Sequence, residues 1–366
     1  MVKTLCMLEE KRVMMTPHML DAIQGLGDIE VNRVDWPGPA DMEAAAIHRL
    51  LETDGPNVFD VPEDVAKYPD TEIAFTNWCP VSAGTIRSLK KLKMVGIIRA
   101  GLDNIDVEEC TKQGVLVVNA NGHNANAVSD FVVGMILAEL RNIGRLHHNM
   151  RNRIFATPRD QSNIHEMEYL TLGLIGFGPI ARLVARKVSG FNMKVIAYDP
   201  WYPQEKADTY GLGVQMVDLD TLLTTADVVD MHMRLAPATE KMIGEREFGL
   251  MKKSAFFINA ARSGMVDTDA MIRTLQEKRI AGAALDVYDE EPLELSSPLY
   301  DLENVTLTPH RAGVSYESTS HSPHFCIQRM LGVIDNNSRD CVVNPEVLDT
   351  PEFQAWREDV KKRLGR

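Results

Sequence analysis

The chain is poor in the residues that staple a fold or span a bilayer. Five cysteines, Cys6, Cys79, Cys110, Cys326 and Cys341, are scattered over 366 residues, odd in number and without a C-x-x-C pair. That pattern speaks against a disulfide framework or a zinc site and for reduced, mostly structural thiols. Long apolar runs are missing as well. The longest, Phe131 to Ala138, is cut by Glu139 and falls far short of the ~20 residues a membrane helix needs. The opening MVKTLCMLEEKRV has no sustained apolar stretch before Glu9-Glu10-Lys11-Arg12, so a secretory signal is not expected and the cytoplasm is the expected compartment. Positive charge is in deficit: 39 Lys and Arg face 52 Asp and Glu, a formal charge of −13. This balance disfavours nucleic acid and acidic membrane surfaces as partners. Internal repeats, low-complexity tracts and Gly/Ser linkers are absent.

What remains is an ordinary globular composition, 45% hydrophobic and 25% charged, with a length that suggests two domains. Short apolar runs alternate with helix-like stretches. Thr4–Leu8, Glu72–Phe75, Met94–Ile98 and Val115–Val118 read as buried strands, with helices at Met42–Leu51 and Ala83–Leu89. Six more strand candidates follow at Leu172–Ile175, Lys194–Tyr198, Val228–Met231, Ala255–Ile258, Gly282–Leu285 and Val305–Leu307. Such alternation predicts parallel sheets with helices on both faces. The second set suffices for a complete doubly wound domain, whereas the tail after Gly313 is too short for its own core. The expected organisation is therefore discontinuous: residues 1–120 and 316–366 form one α/β domain, residues 121–315 the other, with a cleft between them. Asn124 to Arg141 reads as an amphipathic crossing helix.

The sharpest local motif is TLGLIGFGPIARLVARKV. Gly176-Phe177-Gly178-Pro179-Ile180-Ala181 fits G-x-G-x-x-G/A after an apolar strand and at the opening of a helix. Gly176 permits the tight turn, Gly178 lets backbone N–H groups approach a pyrophosphate, and Ala181 is small enough for close helix–sheet packing. Pro179 suits a first helical turn. Asp199, 21 residues beyond Gly178 at the end of the next strand, can accept from ribose hydroxyls and repels a 2′-phosphate, so NAD(H) is favoured over NADP(H). A turn-capping role beside Pro200 is the alternative for Asp199.

Three later segments place ionisable residues just beyond strand ends, where open α/β sheets hold ligands. They are FFINAARSGMVD with Arg262, AALDVYDEEP with Asp286 and Glu291, and VTLTPHRAG with His310. Taken with LDNID (102–106), VVNANGHNANAV (117–128), the glycine fingerprint, Asn259-Ala260-Ala261-Arg262, Asp286-Val287-Tyr288, Glu291-Pro292 and Thr308-Pro309-His310, the chain resembles the D-isomer-specific 2-hydroxyacid dehydrogenases from about residue 70 to 315. The resemblance implies a Rossmann-type NAD-binding domain beside a smaller, discontinuous, flavodoxin-like substrate-binding domain. It implies hydride transfer between NAD(H) and a 2-oxo/D-2-hydroxy acid, with His310 as general acid/base, Glu291 as its carboxylate partner and Arg262 holding the substrate. An ordinary imidazole titrates near pH ~6.5, which suits that exchange. A planar guanidinium holds a carboxylate more specifically than a lysine does. The expected coenzyme residues are Gly176, Phe177, Gly178, Pro179, Ile180, Asp199, His232, Met233, Ala260, Asp286 and Gly313. A homodimer through the coenzyme domain is also implied, with the His-rich segment from Arg145 to Glu168 lying where a dimer arm falls.

Several positions depart from the family pattern. The loop Arg99-Ala100-Gly101-Leu102-Asp103, which in the family presents N–H groups to the substrate carboxylate, is about two residues short. Trp78, in Thr76-Asn77-Trp78-Cys79-Pro80, stands where phosphoglycerate dehydrogenases carry an Arg-Ser-type stretch. It reads either as a stacking wall or as packing. Trp78, Arg99, Ala100 and Gly101 are the substrate-side candidates. Arg234 replaces a proline and is expected at the surface, and His321-Ser322-Pro323-His324 reads as a Pro-broken stretch without a third metal ligand. No metal site is expected, and the 19 methionines read as core fillers. A phosphoglycerate dehydrogenase-like enzyme and an NAD-sensing protein akin to transcriptional corepressors are the alternatives. The glutamine typical of formate dehydrogenases is replaced here by Glu291.

Overall fold

The computed structural model describes residues 1–9, 16–155 and 164–366, and the chain divides into two compact units. The first comprises Met1–Asn124 and Ser315–Arg366. Its sheet contains β1 (Val2–Glu9), β2 (Ile29–Trp36), β3 (Ile73–Thr76), β4 (Met94–Ile97) and β5 (Leu116–Asn119), all parallel, in the order β2-β1-β3-β4-β5. This is the flavodoxin-like order. β3 and β4 are buried at every position, which is why they read as unbroken apolar runs. The strand β2 escapes such a reading because it lies at the sheet edge and buries only Val34 and Trp36.

The C-terminal segment completes this unit. Cys326, Met330, Val333 and Ile334 of the helix Ser322–Asn336 pack into the core with Phe75, Met94 and Leu116. Pro323 sits in the first turn of that helix, where its missing N–H has no partner to lose, so the stretch starts a helix rather than breaking one. The last helix, Pro351–Arg363, is pinned to the sheet by Glu72, which accepts from Trp356 Nε1 at 3.1 Å and Arg363 Nη1 at 2.9 Å. Burial pushes the Cys6 and Cys110 thiols up to about 12 and Cys326 upward too. These are packing residues, not nucleophiles.

The second unit, Ala125–Val314, holds a seven-stranded parallel sheet. Its strands are β6 (Thr171–Ile175), β7 (Lys194–Tyr198), β8 (Gln215–Met216), β9 (Val228–Met231), β10 (Phe256–Asn259), β11 (Gly282–Leu285) and β12 (Val305–Leu307). The order β12-β11-β10-β9-β6-β7-β8 reverses direction between β6 and β9, the switch point of a Rossmann-type sheet. The helices Ala125–Leu140 and Pro179–Ser189 cover one face through Val128, Val132, Ile136, Ala181, Val184 and Val188. Phe248, Phe257, Leu222 and Leu275 belong to the core of the other. The strand β8, only two residues long at the edge, is the one strand of this sheet without a strong apolar run. Within Arg145–Glu168, residues 156–163 lie outside the described residues, as do 10–15 near the start. Among the described residues no helix is long and apolar enough to cross a membrane.

Candidate active site

The carboxyl end of β6 opens into the glycine turn. Gly176 has φ +99°, and a Cβ there would lie 2.7–2.9 Å from the backbone of His232 and Met233, so β6 and β9 can approach only because the residue is glycine. Above Gly178 the space is open: a Cβ there meets nothing within 4 Å. The helix Pro179–Ser189 starts at this point, directing the unpaired N–H groups of its first turn at that space. Asp199, at the end of β7, accepts from Phe177 N at 2.9 Å and from Trp201 N at 3.0 Å. Asp199 thus caps the turn after β7 and braces the glycine turn, and its carboxylate retains lone pairs for further donors. The Phe177 side chain is fully buried, edge-on to Tyr202, so it shapes the loop from inside. Ile180 and Ala260 are half-buried against the same core as the Pro179–Ser189 helix, and Pro179 is exposed. Turn, open space, helix start and acid fit a dinucleotide.

Two loops beyond β11 and β12 meet. His310 Nδ1 lies 2.7 Å from Glu291 Oε2. A carboxylate only accepts, so Nδ1 carries the proton and Nε2 is the end left to face a substrate. Both side chains are accessible, His310 at 45% and Glu291 at 36%. His310 adopts φ +51°, a left-handed conformation that costs a non-glycine residue about 1–2 kcal/mol. Asp286 holds it there. This carboxylate is wholly buried and accepts from Thr308 Oγ1 at 2.6 Å, Arg311 N at 2.9 Å and Ala312 N at 2.8 Å, bracketing His310 on both sides. Asp286 thus faces the backbone of the His310 loop. Gly313, three residues past His310, is half-buried.

Arg262 stands beyond β10, adjacent to β11 in the sheet, on a loop shaped by Asn259. Asn259 Oδ1 accepts from Ala261 N at 3.0 Å, and its Nδ2 donates to Arg262 O at 3.1 Å. The exposed Arg262 guanidinium donates to Ala261 O at 2.7 Å. The His232 side chain is buried, with Nε2 2.7 Å from Asp230 Oδ2. Asp230 Oδ1 is buried with no hydrogen-bond partner among the described residues. Met233 is buried and Arg234 exposed.

In the first unit, the ends of β3, β4 and β5 are braced together. Buried Asn104 donates to Asn77 O at 3.1 Å and Cys79 O at 2.9 Å, and Asn119 Nδ2 donates to Ala100 O at 2.9 Å. The buried Trp78 indole stacks on His48 at 3.7 Å, and the Arg99 guanidinium lies 3.2 Å from a ring centroid. These contacts are those of a packing residue. Arg99 also donates to Asp103 Oδ2 at 3.4 Å and Asn104 Oδ1 at 3.3 Å. Ala100 and Gly101 are exposed. His324 pairs with Asp21 at 3.1 Å, and no group of three or more potential metal ligands occurs among the described residues.

Sequence reasoning did not single out Asp230, and it quoted Thr308 and Tyr288 only as members of family motifs, without a role. Asp230 was detectable as an acid two positions before His232 in a strand, hence on the same face. Thr308 and Tyr288 act through hydroxyls whose targets are backbone carbonyls or a buried carboxylate, contacts that carry no sequence signature.

Strand order, glycine turn and terminal acid define a dinucleotide-binding α/β unit. Residues 133–312 match the family model of the D-isomer specific 2-hydroxyacid dehydrogenase NAD binding domain. The chain is 34% identical over 273 residues to a glyoxylate reductase of Thermofilum pendens, covering 73% of this chain and 79% of that protein. It is 35% identical over 265 residues to a D-3-phosphoglycerate dehydrogenase of Methanocaldococcus jannaschii, covering 72% of this chain but only 50% of that longer protein. The NAD complex of a D-isomer specific 2-hydroxyacid dehydrogenase from Lactobacillus delbrueckii ssp. bulgaricus superposes with a TM-score of 0.73 at 28% identity, covering 93% of this chain and 100% of that one. The chain belongs to the D-isomer-specific 2-hydroxyacid dehydrogenases, and NAD is its coenzyme.

Proposed function

We propose that the chain interconverts a 2-oxo acid and the corresponding D-2-hydroxy acid, with His310 as general acid/base, Glu291 as its partner and Arg262 as the substrate-carboxylate anchor. The observation that carries this reading is the 2.7 Å contact between His310 Nδ1 and Glu291 Oε2 on accessible side chains. NADH, when bound, supplies the hydride. In reduction, His310 Nε2 gives its proton to the carbonyl oxygen, and in oxidation it takes the hydroxyl proton back. Glu291 keeps the ring oriented and offsets the imidazolium charge. Arg262 is exposed on a loop set by Asn259, with a donor fork that matches a carboxylate.

The coenzyme is assigned to Gly176, Phe177, Gly178, Pro179, Ile180, Asp199, His232, Met233, Ala260, Asp286 and Gly313, with Phe177 and Asp286 acting by shaping their loops. Arg99, Ala100 and Gly101 are assigned to the substrate side. Relatives reduce glyoxylate or act on 3-phosphoglycerate, as their names state. A small 2-oxo acid is the reading favoured here, because Trp78 occupies the stretch where a phosphate-binding arginine stands in phosphoglycerate dehydrogenases. A cytoplasmic homodimer completes the proposal. The test is NADH oxidation with 2-oxo acids bearing small, aromatic, branched and sugar-derived side chains. Turnover of a small member with a D-configured product is expected. Tight NADH binding without turnover of any member sinks the reading and favours an NAD sensor.

A further inference from the structure

We propose that Tyr288 is a positioning residue for the proton-transfer pair, fastening the loop that carries Glu291 to the loop that carries His310. The inference rests on the roles assigned above to those two residues. Tyr288 touches both loops with different groups. Its backbone N–H donates to Glu291 Oε1 at 3.1 Å, on the oxygen that His310 does not use. Its hydroxyl reaches 20 residues along the chain to Thr308 O at 2.9 Å, with Leu285 O at 3.1 Å sharing the same proton. Thr308 O also accepts the N–H of His310 at 3.1 Å.

The contacts close into a ring: Tyr288 N–H to Glu291, Glu291 to the His310 imidazole, His310 N–H to Thr308 O, and Thr308 O back to the Tyr288 hydroxyl. The Tyr288 hydroxyl is a side-chain link between the two loops that does not run through the Glu291–His310 contact, and it joins the one from Thr308 Oγ1 to Asp286 Oδ1. It therefore holds the distance between the two loops independently of the pair. Such a tie matters because His310 sits in a left-handed conformation that relaxes unless its flanking peptide groups are held. Asp286 brackets His310 through Thr308 Oγ1, Arg311 N and Ala312 N, and Tyr288 adds a separate hold on the carbonyl oxygen of Thr308. Burial pushes the Tyr288 hydroxyl up to about 12, so it remains a donor throughout the working pH range. A phenylalanine would fill the same space and keep the backbone N–H to Glu291, losing only the hydroxyl's shared bond to Thr308 O and Leu285 O.

Tyr288→Phe is therefore the informative variant, assayed with NADH and glyoxylate, or with the fastest 2-oxo acid of the panel. The expected result is a fall in kcat of about fivefold to twentyfold, the effect of one lost hydrogen bond in a positioned pair, with NADH affinity within about twofold. The pH limb of kcat that depends on the pair shifts, and the same change costs under about twofold in a Glu291→Gln background, where the carboxylate being aligned is already gone. A kcat and pH profile equal to the parent overturn the inference. So does a loss of rate that merely follows a lowered Tm, with the pH profile unmoved. If instead His310→Asn and Glu291→Gln leave kcat unchanged, the underlying assignment of the pair fails, an outcome distinguishable from failure of the tie alone.

Discussion

Replacing Asp286 by asparagine probes the frame of the site by exchanging a single heavy atom. The carboxylate is fully buried, and its oxygens accept three donors: Oδ1 takes Thr308 Oγ1 and Arg311 N, and Oδ2 takes Ala312 N. An asparagine can keep its oxygen on the Thr308 and Arg311 side. Its NH2 group then faces Ala312 N, donor against donor, and flipping the amide moves the clash to the other two. Leaving one buried N–H unsatisfied costs about 1–3 kcal/mol, and the two surviving bonds weaken because their acceptor is no longer charged. The net destabilisation is about 3 kcal/mol, which for a unit of this size lowers Tm by about 6–12 °C. It falls on the backbone that flanks His310, so kcat with a 2-oxo acid drops at least about tenfold, while the glycine turn at Gly176 is untouched. Thermal unfolding by circular dichroism, NADH binding by fluorescence and steady-state kinetics read these three effects separately. A variant with the Tm and kcat of the parent refutes the claim that Asp286 holds the His310 loop.

Arg262→Lys keeps the charge but loses the planar fork, and is expected to raise KM for the 2-oxo acid and lower kcat with NADH affinity unchanged; parental kinetics count against a carboxylate anchor. Asp199→Ser removes the carboxylate from the end of β7 and is expected to narrow the preference for NADH over NADPH by at least about tenfold; an unchanged ratio of kcat/KM contradicts its place beside the ribose. Glu72→Gln tests the acid sensitivity of the first unit. Burial by itself raises the Glu72 pKa, but the Arg363 guanidinium and the Trp356 indole N–H outweigh it and hold the carboxyl below the usual carboxylate range. A depressed folded-state pKa stabilises above the unfolded value and ceases to do so as pH falls through the folded one. The variant should therefore be about 2 kcal/mol less stable than the parent at pH 7, with the gap closing below about pH 4.5 in Tm measurements; a gap constant with pH contradicts the pairing.

Much of the fold is legible in the sequence because parallel strands are buried on both faces and so appear as continuous apolar runs. Lys194–Tyr198, Val228–Met231, Gly282–Leu285 and Val305–Leu307 coincide with strands β7, β9, β11 and β12 to the residue. The strands β2 and β8 do not stand out, since β2 buries only Val34 and Trp36 and β8 is two residues long with neither fully buried. In the site, Gly176, Gly178 and Asp199 are legible because backbone approach and a strand-end acid demand those residue types at a fixed spacing. The partnership of Glu291 with His310 comes from family resemblance, as a separation of 19 positions along the chain conceals any local pattern. Asp286 illustrates the limit. Its position marks it as important, yet only the coordinates reveal three donors converging on it from the 308–312 loop. Trp78 shows the reverse case, a residue that stands out in the sequence and is buried in contact with His48 and Arg99.

The most direct test of proton transfer by His310 is single-turnover oxidation of bound NADH in His310→Asn. Enzyme is preloaded with NADH, mixed with saturating 2-oxo acid, and followed by the loss of nicotinamide absorbance. NADH affinity within about twofold of the parent and a single-turnover rate at least about a hundredfold slower are expected, in the range typical of removing a general acid. A single-turnover rate equal to the parent, with NADH bound equally well, contradicts proton transfer by His310.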